Sequence, residues 1–338
     1  MNLNTAWFVL LAFTLAVYAV LDGFDLGIGA VHLLLGRTRE ERTRLIDSIG
    51  PVWNGNEVWL LGAGGSMVVA FPNLYATSFS GFYLALMLVL WLLLLRGLGI
   101  EFRHQIHHPM WEDAWDVVFS FASVLLALLF GVALGNVLHG VPFEANGEFR
   151  GTFTVLLNPF SLVGGVLSVA TLSLHGACWA ALKMDGPLQL RARRFAEVLW
   201  IASAAALAAM IAASFLTRPD FARNFVGHPL LLALPAAGLA ALLINRRAIA
   251  RADDRGAFVA TSAYIATVIA SVAAGLYPML LPAAPGSPVE GLDIYNAAAA
   301  PGSLRVALVV YLVGLAIVSV YLVSVYRIWQ GKSGSVYR

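Results

Sequence analysis

Charge is what this 338-residue sequence has least of. Asp, Glu, Lys and Arg together make up 12% of it, against about a quarter in an ordinary soluble domain, while 60% of residues are hydrophobic and mean hydropathy is +0.80. That balance excludes a soluble globular chain and implies an integral membrane protein with little mass outside the bilayer. Cysteine is almost missing. Cys178 stands alone, which excludes an internal disulfide and a multi-cysteine metal or iron–sulfur site within the chain. The opening "MNLNTAW" lacks the basic region of a cleavable signal, and its apolar run continues to about Leu35, so it reads as a permanent span. A net charge of +2 supports no nucleic-acid partner. Nucleotide-binding, dinucleotide-binding and hydrolase motifs are absent. With short connections, no linker and no convincing repeat, residues 1–338 read as a single polytopic membrane domain.

What is present is a series of apolar runs long enough to cross a bilayer, which takes roughly 17–25 residues each. Nine are expected, over about 6–34, 51–70, 78–99, 114–138, 154–182, 195–217, 228–244, 257–281 and 303–327. The predicted fold is therefore all-α, with nine transmembrane helices arranged as two four-helix bundles plus one peripheral helix. Alternate connections hold 17 of the 21 basic residues, Arg96 and the tail residue Arg338 among them, and the other side keeps only Arg150, Arg218, Arg223 and Arg305. The positive-inside rule makes the rich side cytoplasmic, so the N-terminus is expected outside and the C-terminus inside. An odd number of spans satisfies that independently.

No Lys or Arg is expected in the middle of a span, yet three acids are. Asp22 and Asp25, in "AVLDGFDLGIGA" (19–30), are i and i+3 and share a helix face. Glu57 follows in "GPVWNGNEVWLLGAGG" (50–65), where Trp53, Asn54, Asn56, Glu57 and Trp59 fall within two turns. Counted at 1.5 Å per residue, Asp25 lies roughly 15 Å and Glu57 about 9 Å from the cytoplasmic end. Buried charges of this kind mark ion or proton handling, or hold helices together by hydrogen bonds. Two adjacent carboxylates in a low dielectric do not both ionise readily, which suits proton transfer. Trp53 fits an interfacial belt; Trp59, deeper, fits it less well. His32 and His175 lie on separate spans at different depths and make a poor pair of haem ligands. "HQIHH" (104–108) reads as a polar loop.

These residues carry a resemblance that runs the length of the chain. "LDGFDLGIG" (21–29), "DSIGPVWNGNEVWL" (47–60), "FSGFYLALMLVL" (79–90), "GNVLHGVPF" (135–143), "LLNPFSLVGG" (156–165), "LHGACWAALKMDGPLQLRARR" (174–194), "IYNAAAAPGSL" (294–304) and "VYRIWQGK" (325–332), in this order, resemble subunit II of the cytochrome bd family of quinol oxidases. The resemblance implies a multi-pass protein of the bacterial cytoplasmic membrane, paired with a subunit I that holds haem b and haem d and oxidises quinol. The complex reduces O2 to water. Subunit II is implied to shield the haems, to contribute proton and oxygen routes, and in some members to hold a quinone as a structural lipid among membrane lipids, with small single-span subunits as further partners. Asp22 and Asp25 match the family's acidic first-span motif, and Trp59 a tryptophan near an oxygen path, with Trp53 beside it. At Asn54 many members carry an acid implicated in proton uptake. Asn54 cannot serve in that way, and Glu57, one turn on, is the candidate replacement. Taken without the resemblance, the same features also suit a proton- or cation-coupled transporter with a midplane acidic site.

Overall fold

A computed structural model describes residues 2–145, 147, 149 and 151–333; Arg150 and Arg338 lie outside the described residues. In chain order the helices are α1 (Leu3–Leu35), α2 (Arg39–Asp47), α3 (Trp53–Ala70), α4 (Pro72–Gly81), α5 (Tyr83–Phe102), α6 (Pro109–His139), α7 (Pro159–Lys183), α8 (Gly186–Thr217), α9 (Arg223–Gly227), α10 (Ala233–Ala250), α11 (Asp254–Leu276) and α12 (Pro301–Ile328). A two-stranded antiparallel hairpin, β1 (Met279–Pro282) with β2 (Gly291–Asp293), occupies the longest connection. The fold is all-α in its membrane part, as expected. Among the described residues eight helices are long and apolar enough to cross a membrane: α1, α5, α6, α7, α8, α10 with the turn before it, α11 and α12. The remaining expected span, 51–70, is the 18-residue α3, whose Asn54, Asn56, Glu57 and four glycines keep it below that mark.

Local chemistry explains where boundaries depart from the apolar runs. Helix α8 begins at Gly186, ahead of its apolar stretch, because Pro187 suits a first helical turn and Arg191, Arg193 and Arg194 continue the helix outside the apolar layer. Helix α2 was not legible as an apolar element, yet it carries a capping box. Thr38 accepts from the Glu41 amide (3.3 Å), and Glu41 accepts in return from the Thr38 amide (3.4 Å). Pro72 starts α4 at its first turn, so the chain breaks between α3 and α4.

Helix α1 is the centre of the assembly, touching α3, α6, α7 and α11. Small residues make those approaches possible, since helices in lipid associate by close packing rather than by hydrophobic burial. Gly27 of α1 faces Gly176 of α7 so closely that a Cβ on Gly27 would lie 2.6 Å from the Gly176 backbone nitrogen and strike the Leu172 carbonyl oxygen. Gly29 is set against Ser123 of α6 in the same way.

The arginine-rich end is held by a buried polar knot. Asp116 accepts from Arg103 Nε (2.6 Å), His32 Nε2 (2.9 Å) and Arg42 Nη1 (3.4 Å). The C-terminal segment is clamped on the end of α7, where Lys332 donates to the carbonyls of Leu182 (2.8 Å) and Met184 (2.7 Å). Helix α2 is tied to α8 by Glu41, whose carboxylate lies 2.5 Å from Arg191 Nη2. Partial burial pushes Glu41 up, but the Arg191 contact and the amides of Arg37 and Thr38 outweigh it and hold the group below its ordinary range. A carboxylate depressed by folding contributes stability that is present above its unfolded value, near 4.3, and lost as pH falls through the folded value. The contact is therefore expected to hold from neutral pH down to about pH 4 and to loosen below it. Hydrogen exchange of the α2 amides, corrected for intrinsic rates, checks this: protection unchanged at pH 3 would contradict it.

Candidate functional site

The first turns of α3 meet the middle of α1, and α5 closes the third side. Asp22 and Asp25 project from α1 into this junction with no solvent exposure, and Glu57 enters from α3, with its side chain 24% exposed. The element that joins them is Arg96 of α5. Its Nη1 donates to Asp22 Oδ1 (2.7 Å), its Nη2 donates to Glu57 Oε1, and its side chain is completely buried. This corrects the expectation that Arg96 belongs to an aqueous connection. The helix runs six residues beyond Arg96, so the guanidinium sits about 9 Å inside the end of α5. A buried charge is retained only when paired, and two dry acids demand a cation. That demand was the signal available in the sequence, with Arg96 as the basic residue set deepest in an apolar run.

Asp25 is served differently. Asn56 Nδ2 donates to Asp25 Oδ2 (2.8 Å) and to the Leu21 carbonyl (3.1 Å), while Asn56 Oδ1 accepts from the Tyr326 hydroxyl (2.9 Å). These bonds fix the amide orientation, and they bring α12 into the site through one side chain. Asn56 and Tyr326 were not picked out by sequence reasoning as members of the site. Asn54 is not brought together with the acids. It is exposed and makes no hydrogen bond, because two residues along a helix turn the side chain about 200° away from Asn56.

The junction has bonding capacity to spare. Tyr18 Oη, Asp22 Oδ2, Asp25 Oδ1, Arg96 Nε and Trp59 Nε1 are buried with no hydrogen-bond partner in the protein. Trp59 packs with Tyr18 and Leu322, its ring 6.3 Å from that of Phe13 in an edge-on arrangement. Trp53 is half-buried one turn before Glu57 on α3 and faces α5, where a Cβ on Gly97 would come 3.3 Å from its ring.

The buried histidines each hold a partner, His175 through both ring nitrogens and His32 through Nε2 alone. His175 Nε2 donates to the Val20 carbonyl (3.1 Å), its Nδ1 bonds the Thr261 hydroxyl (2.7 Å), and its ring stacks on Phe258 at 4.7 Å. His32 Nε2 is bound to Asp116. The loop residue His104 lies 3.6 Å from Asp47. Among the described residues no group of three or more His, Cys, Asp or Glu side chains is placed to hold a metal ion.

Comparison with known proteins gives the same answer along the whole chain. The family model described as cytochrome bd terminal oxidase subunit II matches residues 3–329. A probable cytochrome oxidase subunit 2 from Haemophilus influenzae is 36% identical, over 97% of this chain and 93% of its own. Cytochrome bd-I ubiquinol oxidase subunit 2 of Escherichia coli K12 is 36% identical over 83% of this chain and 82% of its own. Cytochrome bd ubiquinol oxidase subunit 2 of Bacillus subtilis is 32% identical over 90% and 89%. In fold, the chain resembles a chain of the bd oxidase structure from Geobacillus thermodenitrificans, with a TM-score of 0.79, 18% identity and coverage of 97% and 99%. The chain belongs to the cytochrome bd terminal oxidase subunit II family.

Proposed function

We propose that this chain acts as the non-haem-ligating subunit of a quinol:O2 oxidoreductase complex in a bacterial cytoplasmic membrane, and that Asp22, Asp25 and Glu57 form a proton route serving a haem-bearing subunit I. The observation that carries the reading is the junction itself: one buried guanidinium joins Asp22 to Glu57, Asn56 holds Asp25 beside them, and Asp22 and Asp25 each keep a buried oxygen without a partner. Unpaired buried polar atoms are the anchor points of internal water, and water between carboxyls is what conducts protons. Glu57 is the member that reaches the surface; Asp22 and Asp25 are the dry members. Arg96 offsets charge on two of the three carboxyls and fixes where each lies. Asn56 holds Asp25 on the opposite edge.

The haems that the family brings to the complex do not fit the side chains of this one. Both nitrogens of His175 are taken, and His32 is fixed through Nε2 to Asp116 inside the buried polar knot. In this reading haem b and haem d are held by subunit I. Trp59 and Trp53 shield that face or border an oxygen path. The exposed apolar faces of α5 and α12, with Trp91, Val309 and Val313, leave room for subunit I, for small single-span subunits, or for a quinone held as a lipid.

The charge asymmetry supports an arginine-rich end in the cytoplasm and an N-terminus outside. Counting α3 gives nine spans. We group α1, α3, α5 and α6, and α7, α8, α10 and α11, as two four-helix sets that meet through close packing of α1 and α6 on α7, with α12 resting on α3 and α1 as the peripheral helix.

Glu57→Gln tests the route. Glutamine keeps an oxygen for Arg96 Nη2, so the complex is expected to assemble with normal haem content. Quinol-oxidase turnover is expected to fall at least about tenfold, less than the roughly 10²–10⁴-fold that a group transferring a proton at the reacting centre supplies, because Glu57 acts on the route and not on the substrate. Unchanged turnover in an intact complex would remove Glu57 from the route.

A further inference from the structure

Basic residues at the arginine-rich end are mostly consumed by partners. Arg39 and Arg42 meet Asp113, Arg44 meets Asp185, Arg103 meets Asp116, Arg191 meets Glu41, and Arg193 grips Asp254 with two bonds of 2.8 and 2.7 Å. Arg37 and Arg327 form no ion pair among the described residues, and one corner gathers five more such arginines. Where α8, α10 and α11 come together, Arg194, Arg246, Arg247, Arg251 and Arg255 form no ion pair among the described residues. Of the nearby acids, Asp253 caps α11 through the Gly256 amide, Asp254 is held by Arg193 and Gln189, and Glu197 is exposed one turn before Trp200 and forms no ion pair among the described residues.

Within this corner Arg246 is built rather than merely present. Its guanidinium lies over the Trp200 ring, 5.8 Å from the ring centroid. That ring is itself fixed, because Trp200 Nε1 donates to the Leu242 carbonyl (2.8 Å), one turn deeper in α10. Arg246 Nη1 is buried and has no hydrogen-bond partner, so a charged donor is held on an aromatic platform with nothing to receive it. The apolar residues just beyond, Ile201 on α8 and Leu239 and Leu243 on α10, are exposed. Charge at headgroup depth, an indole at the polar–apolar boundary and open aliphatic surface beneath it are the three features a phospholipid meets at a membrane interface.

We propose that Arg246, stacked on Trp200 and flanked by Arg247 and Arg251, binds the phosphate of an anionic phospholipid whose acyl chains lie along α8 and α10. The planar guanidinium provides paired N–H donors to phosphate oxygens, and the surplus of unpaired arginines selects a headgroup with net negative charge over a zwitterionic one.

The test uses the intact complex, delipidated in detergent and examined by native mass spectrometry during titration with phosphatidylglycerol, phosphatidylcholine or inorganic phosphate. Wild type is expected to retain one phosphatidylglycerol that Arg246→Gln binds at least tenfold more weakly, with haem content confirming assembly. Arg305→Gln, at the other end of the bundle, is expected to bind as wild type does. Should the glutamine variant not accumulate, Trp200→Leu removes the platform and is expected to weaken retention as well. Equal retention of phosphatidylcholine overturns the proposal. So does displacement of the lipid by inorganic phosphate alone, which would mark a free-anion site, or retention unaffected by either substitution.

Discussion

Arg96→Met is expected to abolish accumulation of the complex. The substitution keeps the length of an apolar stem but removes the guanidinium that both Asp22 and Glu57 accept from. Two carboxyls then face each other in a site where Asp22 has no exposure at all. Removing one partner of a buried ion pair costs about 3–5 kcal/mol, against a total stability of about 5–15 kcal/mol for a typical domain. The same physics predicts a rescue. Combining Arg96→Met with Asp22→Asn and Glu57→Gln leaves no uncompensated charge, and neutral replacements of whole buried ion groups are often as stable as the original. The triple variant is expected to restore haem-loaded complex while leaving quinol oxidation at or below the Glu57→Gln level. Arg96→Lys is expected to fall between, since a single ammonium cannot span two carboxyls as the planar fork does. The measurement is the yield of co-purified haem per membrane, with turnover read on whatever assembles. Normal yield from Arg96→Met would mean that the guanidinium does not hold the junction.

The reason Arg96 escaped sequence reading is instructive. In a run ending "LLLLRGLGIEFR", an arginine near the boundary is indistinguishable by hydropathy from one in the adjoining loop. Only the requirement that Asp22 and Glu57 find a cation separates the two cases, and that requirement appears once three helices are placed together. Asn54 and Asn56 show a related limit. Both flank Glu57 closely in the sequence, and without the rotational phase of α3 nothing says which of them faces α1. The phase puts Asn56 on Asp25 and leaves Asn54 exposed. By contrast the acids themselves, the all-α membrane class and most spans were legible, because burial of charge and long apolar runs are properties of single segments. Helix α2 and the β1–β2 hairpin were not, since a capping box and a turn pairing lie in polar stretches that hydropathy treats as loop.

Gly27→Val is expected to do nearly as much harm without touching a charge. Gly27 and Gly176 bring the backbones of α1 and α7 into direct contact. A side chain at 27 meets the Leu172 carbonyl, the Gly176 nitrogen at 2.6 Å and the Gly176 Cα at 2.7 Å. A flexible side chain yields to such an intrusion, but backbone in the middle of two packed helices does not. The helices must separate, and α1 carries Asp22 and Asp25 with it. Overpacking typically costs about 1–3 kcal/mol and more where nothing can move, so a loss of at least about 3 kcal/mol is expected here. Gly64 of α3 is the control, because a Cβ there meets nothing within 4 Å and Gly64→Ala gains helix propensity of about 1 kcal/mol. Thermal release of haem from the purified complex distinguishes the cases. Gly27→Val is expected to lower the midpoint by many degrees or prevent purification, and Gly64→Ala to leave it unchanged or raise it slightly. A Gly27→Val complex as heat-stable as wild type would show that α1 and α7 do not rely on this contact, and that the carboxyls of α1 are positioned by α3 and α5 alone.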